Sequence, residues 1–474
     1  MQNEEKKISV FQSVLLLVIV MAMILWSVSV NINIVLPLLF GWGVVYIFTI
    51  INKKDFTVIF NAGLDSLRKA AGAMILIMVV GVLVSAFISA GTLQSFIYYG
   101  LRLIHPSYFL IGSFIILSLM TMAIGTTFGS VASVGIAIMG IGRVLGIPDG
   151  LTAATILSGA QFGNRLTPIA DTPILTSTLT GGDMFKHIKY QLWTAVPSAI
   201  IPLIIYYFLG MQYGGNDFDS PIVSEVLSVL EANTNISVIT LLPFVVLIGL
   251  MAAKVQAIPS VLGGIVTAAL IAYFYQGEDL VSILRPMLSG HQVETGNYIV
   301  NQLLNQGGLY SMTSSVFTII VAVIFGGMIE KLGVINSILS PIVPKLKTRT
   351  SLTAMVILTE YFVNMAASAS HLGHIITAEF FVPIFKERNE APEMLSRAMA
   401  DGMSGSMFFP WHNMTIFFTG VLGVTWGQYM PYMYMIYLIP IFNILSAKTG
   451  IGWLEKEQED TVIIKGEEAL NETV

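Results

Sequence analysis

Residues 77–97 read IMVVGVLVSAFISAGTLQSFI, and residues 319–339 read IIVAVIFGGMIEKLGVINSIL. A shift of 242 places Gly91 on Gly333 and Ile97 on Leu339. The same shift, without a gap, places Gly125-Thr126 on Ala367-Ser368, Pro168 on Pro410 and Asp171 on Asn413. Chance can align one apolar run, but it rarely keeps one register through two apolar runs and two helix-breaking motifs. A chain that repeats itself, with interrupted apolar segments at matching places, carries the sequence signature of a secondary transporter.

Composition sets the solvent. The 474 residues are 55% hydrophobic and 11% charged, with a mean hydropathy of +0.79. A soluble chain carries about 25% charged residues. Apolar runs of about 20 residues can each cross the roughly 30 Å hydrocarbon layer as a helix. A β-barrel would show alternating segments of about ten residues, which are absent. The expected fold is therefore an all-α polytopic membrane protein, built as two inverted-topology repeats with broken helices and re-entrant hairpins. With no cysteine, the chain has neither a disulfide framework nor thiolate chemistry. It also lacks a P-loop, and nothing in it suggests a cofactor or a nucleic acid as partner.

Apolar segments fall near 9–28, 32–51, 70–90, 107–124, 127–146, 151–180 (interrupted) and 190–210, then near 236–252, 258–276, 312–331, 351–368, 371–386, 392–427 (interrupted) and 429–447. Seven per half is an odd number, so the second half starts on the opposite side of the membrane and the repeats are inverted. This divides the chain into a cytoplasmic N-terminus (1–8), repeat one (9–210), an external polar linker (211–235), repeat two (236–447) and an acidic cytoplasmic tail (448–474). With the N-terminus inside, almost every lysine and arginine outside the bilayer is cytoplasmic, from Lys6 and Lys7 through Lys254 to Lys456 and Lys465. Only Arg102, Arg143 and Arg285 fall outside. Both termini are then cytoplasmic, in a prokaryotic cytoplasmic membrane. Residues 55–69 read as a separate amphipathic helix on the cytoplasmic face. Segments 107–124 and 127–146 are either full crossings or the arms of a hairpin with its tip at Gly125-Thr126-Thr127.

The strongest local motif is GAQFGNRLTPIADTPILTSTLTGGD, 159–183. Pro168 removes a backbone donor and breaks a helix near mid-membrane. Broken helices expose carbonyls and half-helix ends that bind ions. Asp171 sits at this break beside Thr172, and a carboxylate at membrane depth is costly enough to be functional by default. Its plainer role is to cap the following half-helix. In the second half, SGSMFFPWHNMTIFFTG (404–420) puts Asn413 and Thr415 at the equivalent break, offering neutral oxygens. Asp171, Thr172, Asn413 and Thr415 together form a candidate Na⁺/H⁺ site. Two small polar tips, Thr126-Thr127 and Ser368-Ala369-Ser370-His371, either line a cavity or pack helices closely. Arg165 either pairs with Asp171 or binds a substrate carboxylate in bidentate fashion. Arg397 and Asp401, spaced i,i+4, read as an intrahelical ion pair. Glu360, with Asn364 one turn on, is either a proton carrier or a structural hydrogen-bonding group. His371 and His374 share a helical face but are too few to make a metal site.

These residues carry a resemblance. GTTFGSVASVGIAIMGIG (125–142), SGAQFGNRLTPIADT (158–172), GGDMFKHI (181–188) and the run from Glu379 through Ala391-Pro392, Leu395-Ser396-Arg397, Asp401 and Pro410-Trp411 together resemble the NhaC family of Na⁺/H⁺ antiporters. The resemblance implies inverted repeats with re-entrant hairpins, elevator-like movement and a homodimer. It marks Asp171 as the ion-site carboxylate and Asp401 as a family acidic position. The chain departs from the pattern at Asn164-Arg165, where the family has Asp-Lys, and at Ala170 and Pro173. Losing a carboxylate at 164 opens an alternative to Na⁺/H⁺ exchange: a Na⁺-coupled carrier or exchanger of a small organic acid or amino acid. In that reading Arg165, Thr126, Thr127, Ser368, Ser370 and His371 hold the organic substrate. An intramembrane enzyme would need a nucleophile–base or metal constellation, and no such spacing is present.

Overall fold

The computed structural model describes residues 8–30, 32–103, 105–168, 170–213, 221–253, 255–368 and 370–454. Ala369, Lys6, Lys7, Lys254, Lys456, Lys465, most of the acidic tail and positions 214–220 of the linker lie outside the described residues. Among the described residues there are helices and turns but no β-strand. Seven single helices are long and apolar enough to cross a membrane, or up to nine if each of two bent pairs is one span. Large apolar side chains such as Phe11, Phe40, Leu119, Phe208 and Phe274 are more than 60% exposed on the outer surface. Such an outer surface is suited to lipid, because soluble proteins rarely leave so much contiguous apolar area in water.

Twelve helices build the centre. They are α1 (Phe56–Ser89), α2 (Phe109–Ile124), α3 (Thr127–Val144), α4 (Asp149–Arg165), α5 (Asp171–Thr180), α6 (Met184–Met211), α7 (Thr313–Leu332), α8 (Arg349–Ala367), α9 (Ser370–Glu387), α10 (Pro392–Gly402), α11 (Asn413–Leu422) and α12 (Tyr434–Thr449). Val10–Ser29, Val35–Ile51 and several shorter helices pack around them. A π-helical turn at Val131–Gly135 interrupts α3.

The element boundaries repeat at the shift read from the sequence. α5 spans Asp171–Thr180 and ends at left-handed Gly181. α11 spans Asn413–Leu422 and ends at left-handed Gly423. Gly91 (φ +76°) follows α1 as Gly333 (φ +87°) follows α7. At the hairpin tips the register slips by one, because Gly125 (φ +81°) ends α2 whereas Ser368 (φ +55°) ends α8.

Two expectations are corrected. Residues 55–69 are not a separate surface helix. Asp55 caps α1 by accepting from Thr57 N at 2.8 Å, and the helix then runs unbroken for 34 residues. That is about 50 Å at 1.5 Å per residue, so the amphipathic stretch is the projecting end of a long span. The linker is not wholly a loop either, since Pro221–Asn233 is helical. Its apolar positions Val223, Val226 and Leu230 are buried, and that burial holds the helix down.

Candidate functional site

α4 stops at Arg165 and α5 starts at Asp171, so the break spans Leu166–Ala170. Pro168 cannot donate within it, and Thr167 Oγ1 ties the loop to Met122 O of the neighbouring α2 at 3.0 Å. Asp171 is the first residue of α5. Its Oδ1 accepts from Thr172 N at 2.9 Å and from Asn164 Nδ2 at 3.3 Å. It therefore lies at the positive end of a half-helix, where a carboxylate is favoured. Capping leaves it exposed, and it lines a small cavity together with Thr172, Leu175, Ser370, His371, His374 and Met403.

The facing wall comes from the other half of the chain. Ser368 adopts a left-handed backbone, and its Oγ donates to Trp411 O at 2.8 Å, which pins the tip of the α8–α9 hairpin to the second break. Behind His374 runs a buried polar chain. His374 Nδ1 lies 3.0 Å from Glu360 Oε1, and Asn364 Nδ2 donates to Glu360 O at 2.8 Å and to Oε2 at 3.4 Å. His412 Nε2 lies 3.2 Å from Asn364 Oδ1, while His412 Nδ1 accepts from Met414 N at 3.2 Å. These directions are mutually consistent: His412 donates to Asn364, and both Asn364 and His374 donate to Glu360.

The second break does not complete the first. Asn413 and Thr415 do not line the Asp171 cavity. Thr415 Oγ1 donates to Ser406 O at 3.4 Å, and the Asn413 side-chain oxygen is buried without a hydrogen-bond partner. The four-residue cation site read from the sequence is therefore two separate places. One turn after Asp171 comes Leu175, and one turn after Asn413 comes Phe417. The Phe128 ring meets Phe417 edge-on at 4.8 Å and stacks on Phe418 at 5.7 Å. Thr126 and Thr127 immediately precede Phe128 and do not line the Asp171 cavity. Of the six expected substrate residues, only Ser370 and His371 reach the cavity.

Arg165 is also accounted for elsewhere. Its Nη1 donates to Gln161 O at 2.7 Å and Oε1 at 3.1 Å, and its Nε lies 3.7 Å from Asp401 Oδ1. It neither pairs with Asp171 nor opens to a cavity, and its side chain is 2% exposed. The expected Arg397–Asp401 pair is likewise replaced. Asp401 takes Gln191 Nε2 at 2.5 Å and Asn443 Nδ2 at 2.6 Å. Arg397 donates to Gly452 O at 2.7 Å, Ser446 Oγ at 3.0 Å and Asn443 Oδ1 at 3.3 Å. Asn443 of α12 thus stands between the two charges. Each charged group finds better-aimed partners across helices than along its own.

Three comparisons place this geometry. A family model described as the Na⁺/H⁺ antiporter family matches residues 159–451, which include both breaks and the whole Glu360 chain. The chain belongs to that family. It is 31% identical over 93% of its length, and 95% of the relative's, to the malate-2H⁺/Na⁺-lactate antiporter of Bacillus subtilis. It is 30% identical over 96% of its length, and 98% of the relative's, to the Na⁺/H⁺ antiporter NhaC of Alkalihalophilus pseudofirmus. It is 27% identical over 85% of its length, and 84% of the relative's, to the arginine/ornithine antiporter ArcD of Halobacterium salinarum. A solved structure, MtrF of Neisseria gonorrhoeae, aligns with TM-score 0.37 and 14% identity over 81% of this chain and 84% of that one, too low to carry an argument.

In this family member the sequence located Asp171, its break and three of the cavity's residues, Thr172, Ser370 and His371, but not Leu175 or Met403, nor a cavity role for His374. Met403 and the Gln191–Asn443 pair gave no sequence signal, being neutral residues in apolar runs. Among the described residues no group of three or more acidic, histidine or cysteine side chains could hold a metal as a resident ion.

Proposed function

We propose that this protein is a cation/proton antiporter that works by alternating access, with the cation received at Asp171. The observation that carries the reading is the environment of that carboxylate. It is exposed at a helix break and faced by the hydroxyls of Thr172 and Ser370, with no Lys or Arg among the residues that line its cavity. An unneutralised carboxylate and neutral oxygens suit a small hard cation. The two halves act as inverted repeats with both termini cytoplasmic, as the odd segment count and the basic-residue bias support, and the family comparison supports the exchange chemistry.

A second reading keeps the fold and changes the cargo to a small organic acid or amino acid coupled to Na⁺. The 31% identity to a malate/lactate antiporter favours it. Arg165 is committed to Asp401, so the organic carboxylate in that reading faces His371 instead.

Proteoliposomes with an internal pH dye test both. An imposed inward Na⁺ gradient alone should alkalinise the lumen, and Asp171→Asn should abolish the signal. If folded wild-type protein gives no proton signal until lactate, malate or an amino acid is added, the second reading replaces the first.

A further inference from the structure

His374 is the one residue of the cavity that is both buried and incompletely satisfied. Its side chain is 2% exposed, its Nδ1 is held by Glu360 Oε1, and its Nε2 is buried with no hydrogen-bond partner. Holding one ring nitrogen fixes the tautomer and frees the other. Because Glu360 is an acceptor toward both Asn364 and His374, the Nδ1 proton stays on the ring. The free lone pair is then on Nε2, which is turned away from Glu360 while the ring lines the cavity with Asp171.

We propose that His374, oriented by Glu360, carries the exchanged proton, separately from the cation at Asp171. This rests on the antiporter reading above and names its proton-binding group. One proton from the aqueous side adds to Nε2. The imidazolium so formed keeps its Nδ1–H bond to Glu360 and puts a positive charge beside the small cavity where the cation would sit. Occupancy by a proton and by a cation thus exclude one another electrostatically, which is the coupling an antiporter needs. Loss of the proton restores a neutral ring and readmits the cation, so one positive charge replaces another at each turn.

The charged and titratable groups around the ring are few. Glu360 faces it from α8, Asp171 from α5, and His371 shares its own helix. His187 of α6 lies within electrostatic range and is bonded through Nδ1 to Ser396. His412 is linked to Glu360 only through Asn364. Arg165, Arg397 and Asp401 are taken up in their own network.

The test separates Na⁺/H⁺ exchange from Na⁺/Na⁺ exchange in proteoliposomes holding the full chain. His374→Gln should cut Na⁺-driven proton movement at least tenfold, and at least threefold more than it cuts radiolabelled Na⁺/Na⁺ exchange, which reads any disturbance of the cation's own cavity. Its Na⁺ exchange should also lose the dependence on pH that wild type shows. Glu360→Gln keeps an acceptor for Nδ1–H but removes the carboxylate partner of the imidazolium, so the pH profile of Na⁺ exchange should change from that of wild type. A His374→Gln protein that exchanges Na⁺ for protons as wild type does overturns the proposal and leaves the antiporter reading intact. Wild type that moves no protons at all overturns the antiporter reading itself. If His374→Gln does not fold, an unshifted pH profile in Glu360→Gln overturns the proposal alone.

Discussion

Arg165 Nε and Asp401 Oδ1 lie 3.7 Å apart with both side chains buried, and they join the ends of the two broken helices α4 and α10. One comes from each half of the chain, so the pair is a tie across the repeats. Removing one partner leaves the other charge buried and uncompensated. Asp401→Ala should therefore destabilise the protein by about 3–5 kcal/mol, read as a large fall in the melting temperature of detergent-purified protein. Asp401→Asn should cost less, because Gln191 and Asn443 can still bond an amide. Equal melting of Asp401→Ala and wild type would show that the tie carries no stability. Arg165→Ala should impair transport of any cargo through the same loss, and so cannot distinguish a cation from an organic acid.

The aromatic junction of Phe128, Phe417 and Phe418 should behave as a seal. An outer crevice lined by Ser314, Thr318, Pro410, Ile416 and Thr419 stops short of it. The native chain has no cysteine, so a single introduced thiol reports directly. Met414→Cys should react slowly with a charged methanethiosulfonate in detergent, and at least tenfold faster when Phe417→Ala is added. Unchanged labelling would mean that the rings close nothing.

Close helix contact positions the first break. A β-carbon on Gly159 would lie 2.3 Å from Phe114 O, and one on Gly163 would lie 2.3 Å from Ser118 O. Both clashes are with backbone, which cannot rotate aside. This is the small-residue spacing that lets membrane helices approach. Gly163→Ala should cost about 1–3 kcal/mol and displace Arg165 and Asp171 with α4. Thermal melting and Na⁺-driven proton flux should fall together. Gly43→Ala, with open space around it, is the control.

Outside the spans, Glu278 gives a pH dependence. Burial, and to a lesser extent the neighbouring Asp279, raise its carboxyl to about 7. The folded state therefore binds its proton more tightly than the unfolded state does. Its contribution to stability is full below the unfolded value near 4.5, declines as pH rises and is lost above about 7. Helix Leu280–Ser289, which follows it, should show faster amide exchange at pH 8 than at pH 5.5 after correction for intrinsic rates. Glu278→Gln should remove that difference.

The sequence by itself determined the membrane setting, the repeat and its shift of 242, both helix breaks and the placing of Asp171 at one of them. These follow from local chemistry: apolar length, proline's missing donor and glycine's backbone freedom act on near neighbours and survive in a linear reading. Only the tertiary structure decided which residues face Asp171. Symmetry suggested Asn413 and Thr415, but neither lines the Asp171 cavity, while Ser370, His371 and His374 arrive from the opposite half. Arg397 and Asp401 showed the limit most directly. Their i,i+4 spacing is a real local attraction, yet Asn443 and Gln191 offered Asp401 better-directed bonds across helices, with the Arg165 charge 3.7 Å away. In a low-dielectric interior each buried charge must be satisfied by whatever group is best aimed, and aim is set by packing between helices, which no one-dimensional pattern records.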